Sequence, residues 1–125
     1  MVMGAAIQQG STHMNTARQC ALRAGLPTSV SGMTVDRQCA SGLMAIATAA
    51  KQIMADGMTV TIGGGLESIS LCQNDKMNLS RAADPWLKEN IPATYMTMLE
   101  TAEIVADRYG ITRDAQDEYA YQSHM

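Results

Sequence analysis

The period of apolar positions changes from block to block along the chain. Val2 to Gln8 (VMGAAIQ) predicts a buried strand rich in small residues, closed by a turn at Gly10-Ser11-Thr12. Asn15 is a good N-cap, and Ala17, Cys20, Ala21 and Ala24 follow at helical spacing until Gly25 and Pro27 stop the helix. Ser31 to Asp36 predicts a second strand. From Cys39 the period is helical again, with Leu43, Ile46, Ala47, Ala50, Ile53 and Met54 on one apolar stripe and Gly57 ending it. Met58, Val60 and Ile62 then alternate with Thr59 and Thr61, which predicts a third strand running into Gly63-Gly64-Gly65. Strand, helix, strand, helix, strand implies an α/β fold with a parallel sheet and right-handed crossovers.

Leu71 to Tyr95 breaks the pattern, with two prolines, mixed charge and little periodicity. Long excursions of this kind are often functional. Thr97 to Glu100 reads as a capping box for a helix carrying Met98, Ala102, Val105 and Tyr109, stopped by Gly110. Thr112 can cap a last helix whose RDAQDE run, 113–118, reads as a solvated face. The chain opens in a predicted strand and closes inside a predicted helix, so a piece of a larger fold is expected.

Composition narrows the function classes. Nine basic and twelve acidic residues argue against a nucleic-acid footprint or a polybasic membrane surface. The longest apolar runs fall far short of a membrane span. Three cysteines, Cys20, Cys39 and Cys72, suit neither a disulfide framework nor a zinc site, and free thiols fit a reducing, cytoplasmic compartment, or an organelle if the source is eukaryotic. Eleven methionines and no phenylalanine suggest that Met fills core gaps.

The stretch VDRQCASGL, 35–43, places Cys39 at the strand-to-helix corner. A thiol in the first turn of a helix meets the positive end of the dipole, which favours the nucleophilic thiolate form. A sharp turn exposes a nucleophile, and a backbone N–H there can help hold an oxyanion. Ala40, Ser41 and Gly42 leave room for an acyl group or for close backbone packing. Position alone leaves Cys39 between a catalytic thiol and a buried structural one. Cys20 reads as a buried structural thiol, and Cys72 has no evident activating partner. Glu67 reads as a buried carboxylate needing partners. Asp36 and Arg37 read as paired or solvated, and His13 and His124 as solvated. GGG at 63–65 lacks the lysine and spacing of a phosphate loop, so close packing is the better reading.

VDRQCASGLMAIATAAKQIMADG, TIGGGLESIS and MLETAEIVADRYGITRDAQDEYAYQS, in that order, closely resemble the thiolases, and NTARQCALRAGLP resembles the helix after that family's second strand. The resemblance implies a three-layer α/β/α fold with a mainly parallel sheet. Residues 1–70 would be the central part of its N-terminal domain, and 71–125 the beginning of its inserted loop region. It implies acyl transfer between a cysteine and coenzyme A, by condensation or thiolysis, with Cys39 as the acyl-accepting nucleophile. It places Met98 on a methionine lining the acyl pocket, although Met98 also fits a plain helix stripe. Acyl-CoA and CoA are the implied partners, without metal or further cofactor, and a dimer or tetramer is implied for the full-length family member. The family also uses a histidine from a later GHP segment and a cysteine from a CxG segment, neither of which occurs in these 125 residues, so the isolated chain is expected to be inactive. The alternatives are a non-catalytic acyl-CoA-binding or dimerisation module derived from a thiolase, or another condensing enzyme such as a ketoacyl synthase.

Overall fold

The computed structural model describes all 125 residues, which fall into two units, Met1–Leu79 and Ser80–Met125. In the first, three parallel strands form a sheet in the order β2-β1-β3: β1 (Val2–Gly4), β2 (Met33–Val35) and β3 (Gly63–Gly65). The register sets Val2 beside Met33 and Gly63, and Gly4 beside Val35 and Gly65. Successive strand residues face opposite sides, so Val2, Gly4 and Val35 look one way and Met3 and Thr34 the other. Helix α1 (Thr16–Arg23) covers the Thr34 side, where Thr34 Oγ1 accepts the Ala17 N–H at 3.1 Å. Helix α2 (Ser41–Met54) covers the other, with Ala45 and Ala49 packed on Val2 and Val35 nearby. Helices on both faces of a parallel sheet give the α/β arrangement that the alternating elements predict.

The strands are shorter than their apolar runs, and the third is displaced. Residues 58–62 are not strand; β3 is the glycine run itself. Its neighbour explains this: a methyl group on Gly63 would stand 2.8 Å from the Ile46 Cα, so only bare backbone fits beneath α2. The buried face of α2 is also not the expected stripe. Ser41, Ala45 and Ala49 are buried, while Leu43 is 72% exposed and Ile46, Ile53 and Met54 are exposed as well. Large side chains cannot enter a contact that close, so α2 meets the sheet through its small residues. In α1, Ala17 and Ala21 are buried, Cys20 is only partly covered and Ala24 is exposed. Asn15 caps α1 as expected, its side chain accepting the Arg18 N–H at 3.1 Å.

A short helix, α3 (Ile69–Cys72), closes the first unit. The second unit holds α4 (Pro85–Asn90), α5 (Met98–Tyr109) and α6 (Arg113–His124). The 71–95 stretch is therefore more ordered than its weak periodicity suggests. Asp84 caps α4 by accepting the Leu87 N–H, and the Tyr95 hydroxyl accepts the Asp84 N–H at 2.8 Å. The Thr97–Glu100 capping box is complete, Gly110 takes the left-handed conformation after α5, and Thr112 caps α6. Arg113 and Asp117 pair at 2.8 Å on the solvated face of α6. The Met98, Ala102, Val105, Tyr109 stripe is exposed, and α4, α5 and α6 bury no residue. No helix is long and apolar enough to cross a membrane.

Candidate active site

The corner between β2 and α2 is held by its own polar groups. Gln38 has φ 49°, a left-handed conformation that costs a non-glycine residue about 1–3 kcal/mol and persists only where its surroundings enforce it. Asp36 Oδ1 accepts the Gln38 N–H at 2.8 Å. Ser41 Oγ accepts the Arg37 N–H at 2.8 Å and donates to the Gln38 carbonyl at 2.6 Å. Ser41, 4% exposed, is therefore a fastener of the corner. Arg37 reaches the Met44 sulfur at 3.4 Å.

Cys39 is exposed. It stands one residue before the N-cap, Ala40, rather than in the first turn of the helix. It lines a cleft of about 630 Å³ with Gly4, Gln38, Gly42, Gly65 and Glu67. The cleft lies beyond the carboxyl ends of the strands, beside the central β1, where the connection from β1 through α1 and the crossover from β2 through α2 run on opposite faces of the sheet. Ligands of open parallel sheets bind at such a switch point. Two glycines bring the thiol there. A methyl group on Gly4 would stand 2.3 Å from the Ser41 carbonyl, and one on Gly65 would stand 3.0 Å from the Gly42 Cα. The first turn of α2 thus rests directly on the strand ends.

Glu67 faces the same cleft. It is exposed rather than buried, and its Oε2 accepts the N–H groups of Ala6 and Ile7 at 2.8 and 3.0 Å. That carboxylate ties the end of β3 to the chain leaving β1. Cys72, by contrast, is buried. Its thiol donates to the Gln9 carbonyl at 2.9 Å, with Thr12 Oγ1 at 3.3 Å and Ser11 Oγ at 3.5 Å. The hydroxyls of Thr12 and then Ser11 hold it below its ordinary pKa, against the opposing effect of burial. It does have polarising partners, unlike the sequence expectation, but no open face. His13 and His124 are exposed, and His13, in the same unit as Cys39, does not line the cleft. No group of three or more His, Cys, Asp and Glu side chains is placed to hold a metal ion. Met98 belongs to the second unit, in the first turn of α5, and is 77% exposed.

The residue pattern points to Cys39 as the candidate but gives no weight to Gln38 or to the corner contacts of Asp36 and Ser41. An aspartate two residues before a strained position is an Asx-turn signal, and it was available in the residues 36–38.

A family model described as the N-terminal domain of thiolases matches residues 1–125. The chain belongs to the thiolase family. It is 40% identical to a 3-ketoacyl-CoA thiolase of Bacillus subtilis over 125 residues, covering 100% of the chain and 32% of that thiolase. With an acetyl-CoA acetyltransferase of Cupriavidus necator it shares 38% identity, over 98% of the chain and 34% of the relative. With a beta-ketoadipyl-CoA thiolase of Acinetobacter baylyi it shares 36%, over 100% of the chain and 35% of the relative. The chain thus spans about a third of the length of these thiolases.

Proposed function

We propose that Cys39 accepts an acyl group from an acyl-CoA thioester, the first half of a thiolase reaction. The thiolate attacks the thioester carbonyl, a new Cys39 thioester forms, and coenzyme A leaves as its thiol after taking up a proton. The observation that carries this reading is an exposed thiol in a cleft at the strand ends of a thiolase-family chain. Cys20 is partly covered and Cys72 buried, so neither offers an acyl thioester comparable access. In the same reading Met98 lines the acyl pocket, residues 1–70 belong to the N-terminal α/β domain, and 71–125 begin the inserted loop region. The setting is cytoplasmic, or an organelle if the source is eukaryotic, and a full-length family member assembles as a dimer or tetramer.

Completing the cycle requires proton transfers through groups of suitable pKa. His13, the histidine in the same unit as Cys39, does not line the cleft. A stoichiometric acylation without repeated turnover is the expected behaviour of these 125 residues. The test is incubation of the purified chain with acetyl-CoA, followed by peptide mass spectrometry and measurement of released CoA. One acetyl group on Cys39, absent from Cys39→Ala, is expected. Acetyl, butyryl and acetoacetyl thioesters all leaving Cys39 unmodified, while equilibrium dialysis shows them bound, would overturn the reading in favour of a non-catalytic binding module.

A further inference from the structure

The strained residue immediately before the thiol has a dedicated set of restraints. Gln38 is held from two sides, its N–H by the Asp36 carboxylate at 2.8 Å and its carbonyl by the Ser41 hydroxyl at 2.6 Å. The same Ser41 oxygen accepts the Arg37 N–H at 2.8 Å, so three backbone groups of the corner converge on two side chains. Ser41 is buried at the start of α2, which itself rests on Gly4, whereas Asp36 is exposed. Asp36 has no ion-pair partner that would otherwise explain it.

We propose that Asp36 and Ser41 are positioning residues that hold Gln38 left-handed and thereby aim the Cys39 thiol at an incoming acyl thioester. This rests on the reading of Cys39 as the acyl acceptor. Neither residue touches the reacting atoms; each acts through the Gln38 peptide. Without Asp36 the Gln38 N–H loses its acceptor, and the residue relaxes toward negative φ, which swings the next side chain away from the cleft. A displacement of about 1 Å is enough to cost up to about a hundredfold in a transfer step. Asparagine keeps an acceptor oxygen at position 36, so Asp36→Asn preserves the corner. Glycine adopts positive φ without steric cost, so Gln38→Gly makes Asp36 dispensable.

Two readouts on the 125-residue chain test this. In NMR, positive φ brings the amide and α protons of one residue unusually close, giving Gln38 a strong intraresidue cross-peak. That signal is expected in the parent chain and in Asp36→Asn, and lost in Asp36→Ala. The second readout sets acetyl transfer from acetyl-CoA to Cys39 against alkylation by iodoacetamide, a small reagent with little demand on direction. Asp36→Ala is expected to slow acetyl transfer about tenfold while alkylation changes by less than about twofold, and adding Gln38→Gly is expected to restore the transfer. Asp36→Ala with an unchanged cross-peak and transfer rate overturns the proposal, as does a loss of transfer that Gln38→Gly leaves uncorrected. A parent chain that takes no acetyl group sinks the functional reading, and the cross-peak still decides the corner. Ser41→Ala is expected to behave like Asp36→Ala. Should it unfold the chain, the Asp36 variants decide alone, because that side chain is exposed.

Discussion

Gly4 and Gly42 lie close to one contact and differ sharply in what they tolerate. At Gly4 an added methyl group would meet the Ser41 carbonyl at 2.3 Å, and a backbone atom cannot swing aside. Gly4→Ala must push the start of α2 off the sheet, an overpacking that typically costs about 1–3 kcal/mol. At Gly42 the nearest atom is the Gly65 Cα at 3.9 Å, an ordinary contact. Gly42→Ala also gains helix propensity, by up to about 1 kcal/mol. Urea denaturation is expected to show a clear loss of midpoint for Gly4→Ala and an unchanged or raised one for Gly42→Ala. Equal losses at both positions would mean that the helix does not rest on β1 as described. The Gly4 variant is also expected to lose Cys39 acylation, since the turn of α2 that begins two residues after Cys39 fixes the corner holding the thiol at the cleft.

Helix ends were the best-read features of the sequence, because a cap is a contract among neighbours. Asn15, Thr97, Thr112 and Gly110 each act where the residues alone placed them. Faces were read poorly. Hydrophobic periodicity follows the largest side chains, and α2 packs through Ser41, Ala45 and Ala49 on glycine-bearing strands, a choice made by the partner surface. The third strand was misplaced for the same reason. Of the site, the position of the thiol at its corner was legible from the surrounding motif, whereas the left-handed Gln38 was signalled only by Asp36 two residues before it, which fits a turn without stating the backbone angle. In α5 the capping box has a measurable pH signature. The Thr97 backbone N–H, and then its hydroxyl, donate to the Glu100 carboxylate and hold its pKa below the ordinary 4.5. A depressed folded-state pKa contributes stability that is full above the unfolded value and lost as pH falls through the folded one. Circular dichroism of the chain is therefore expected to show α5 fraying on acidification below 4.5, and Glu100→Gln is expected to remove that component. An identical acid profile in the variant would assign the fraying elsewhere.

Of the seven buried hydrophobic residues, five are alanines, and no residue from 80 to 125 is buried. The first unit holds together by bringing backbones close, and little oily surface leaves water when it forms. Heat capacity records that difference directly, because it rises with the apolar area exposed on unfolding and falls with the polar area. Ordinary domains show about 12–15 cal/mol/K per residue. This chain is expected to fall well below that range in scanning calorimetry, with a correspondingly shallow dependence on denaturant. A value inside the range would reveal apolar burial that the alanine core does not provide. A small heat capacity change also flattens the curve of stability against temperature. The tight glycine and alanine contact that carries Cys39 to the strand ends thus sets the thermal character of the chain: a weak dependence on cooling, and a melt spread over a broad span of temperature.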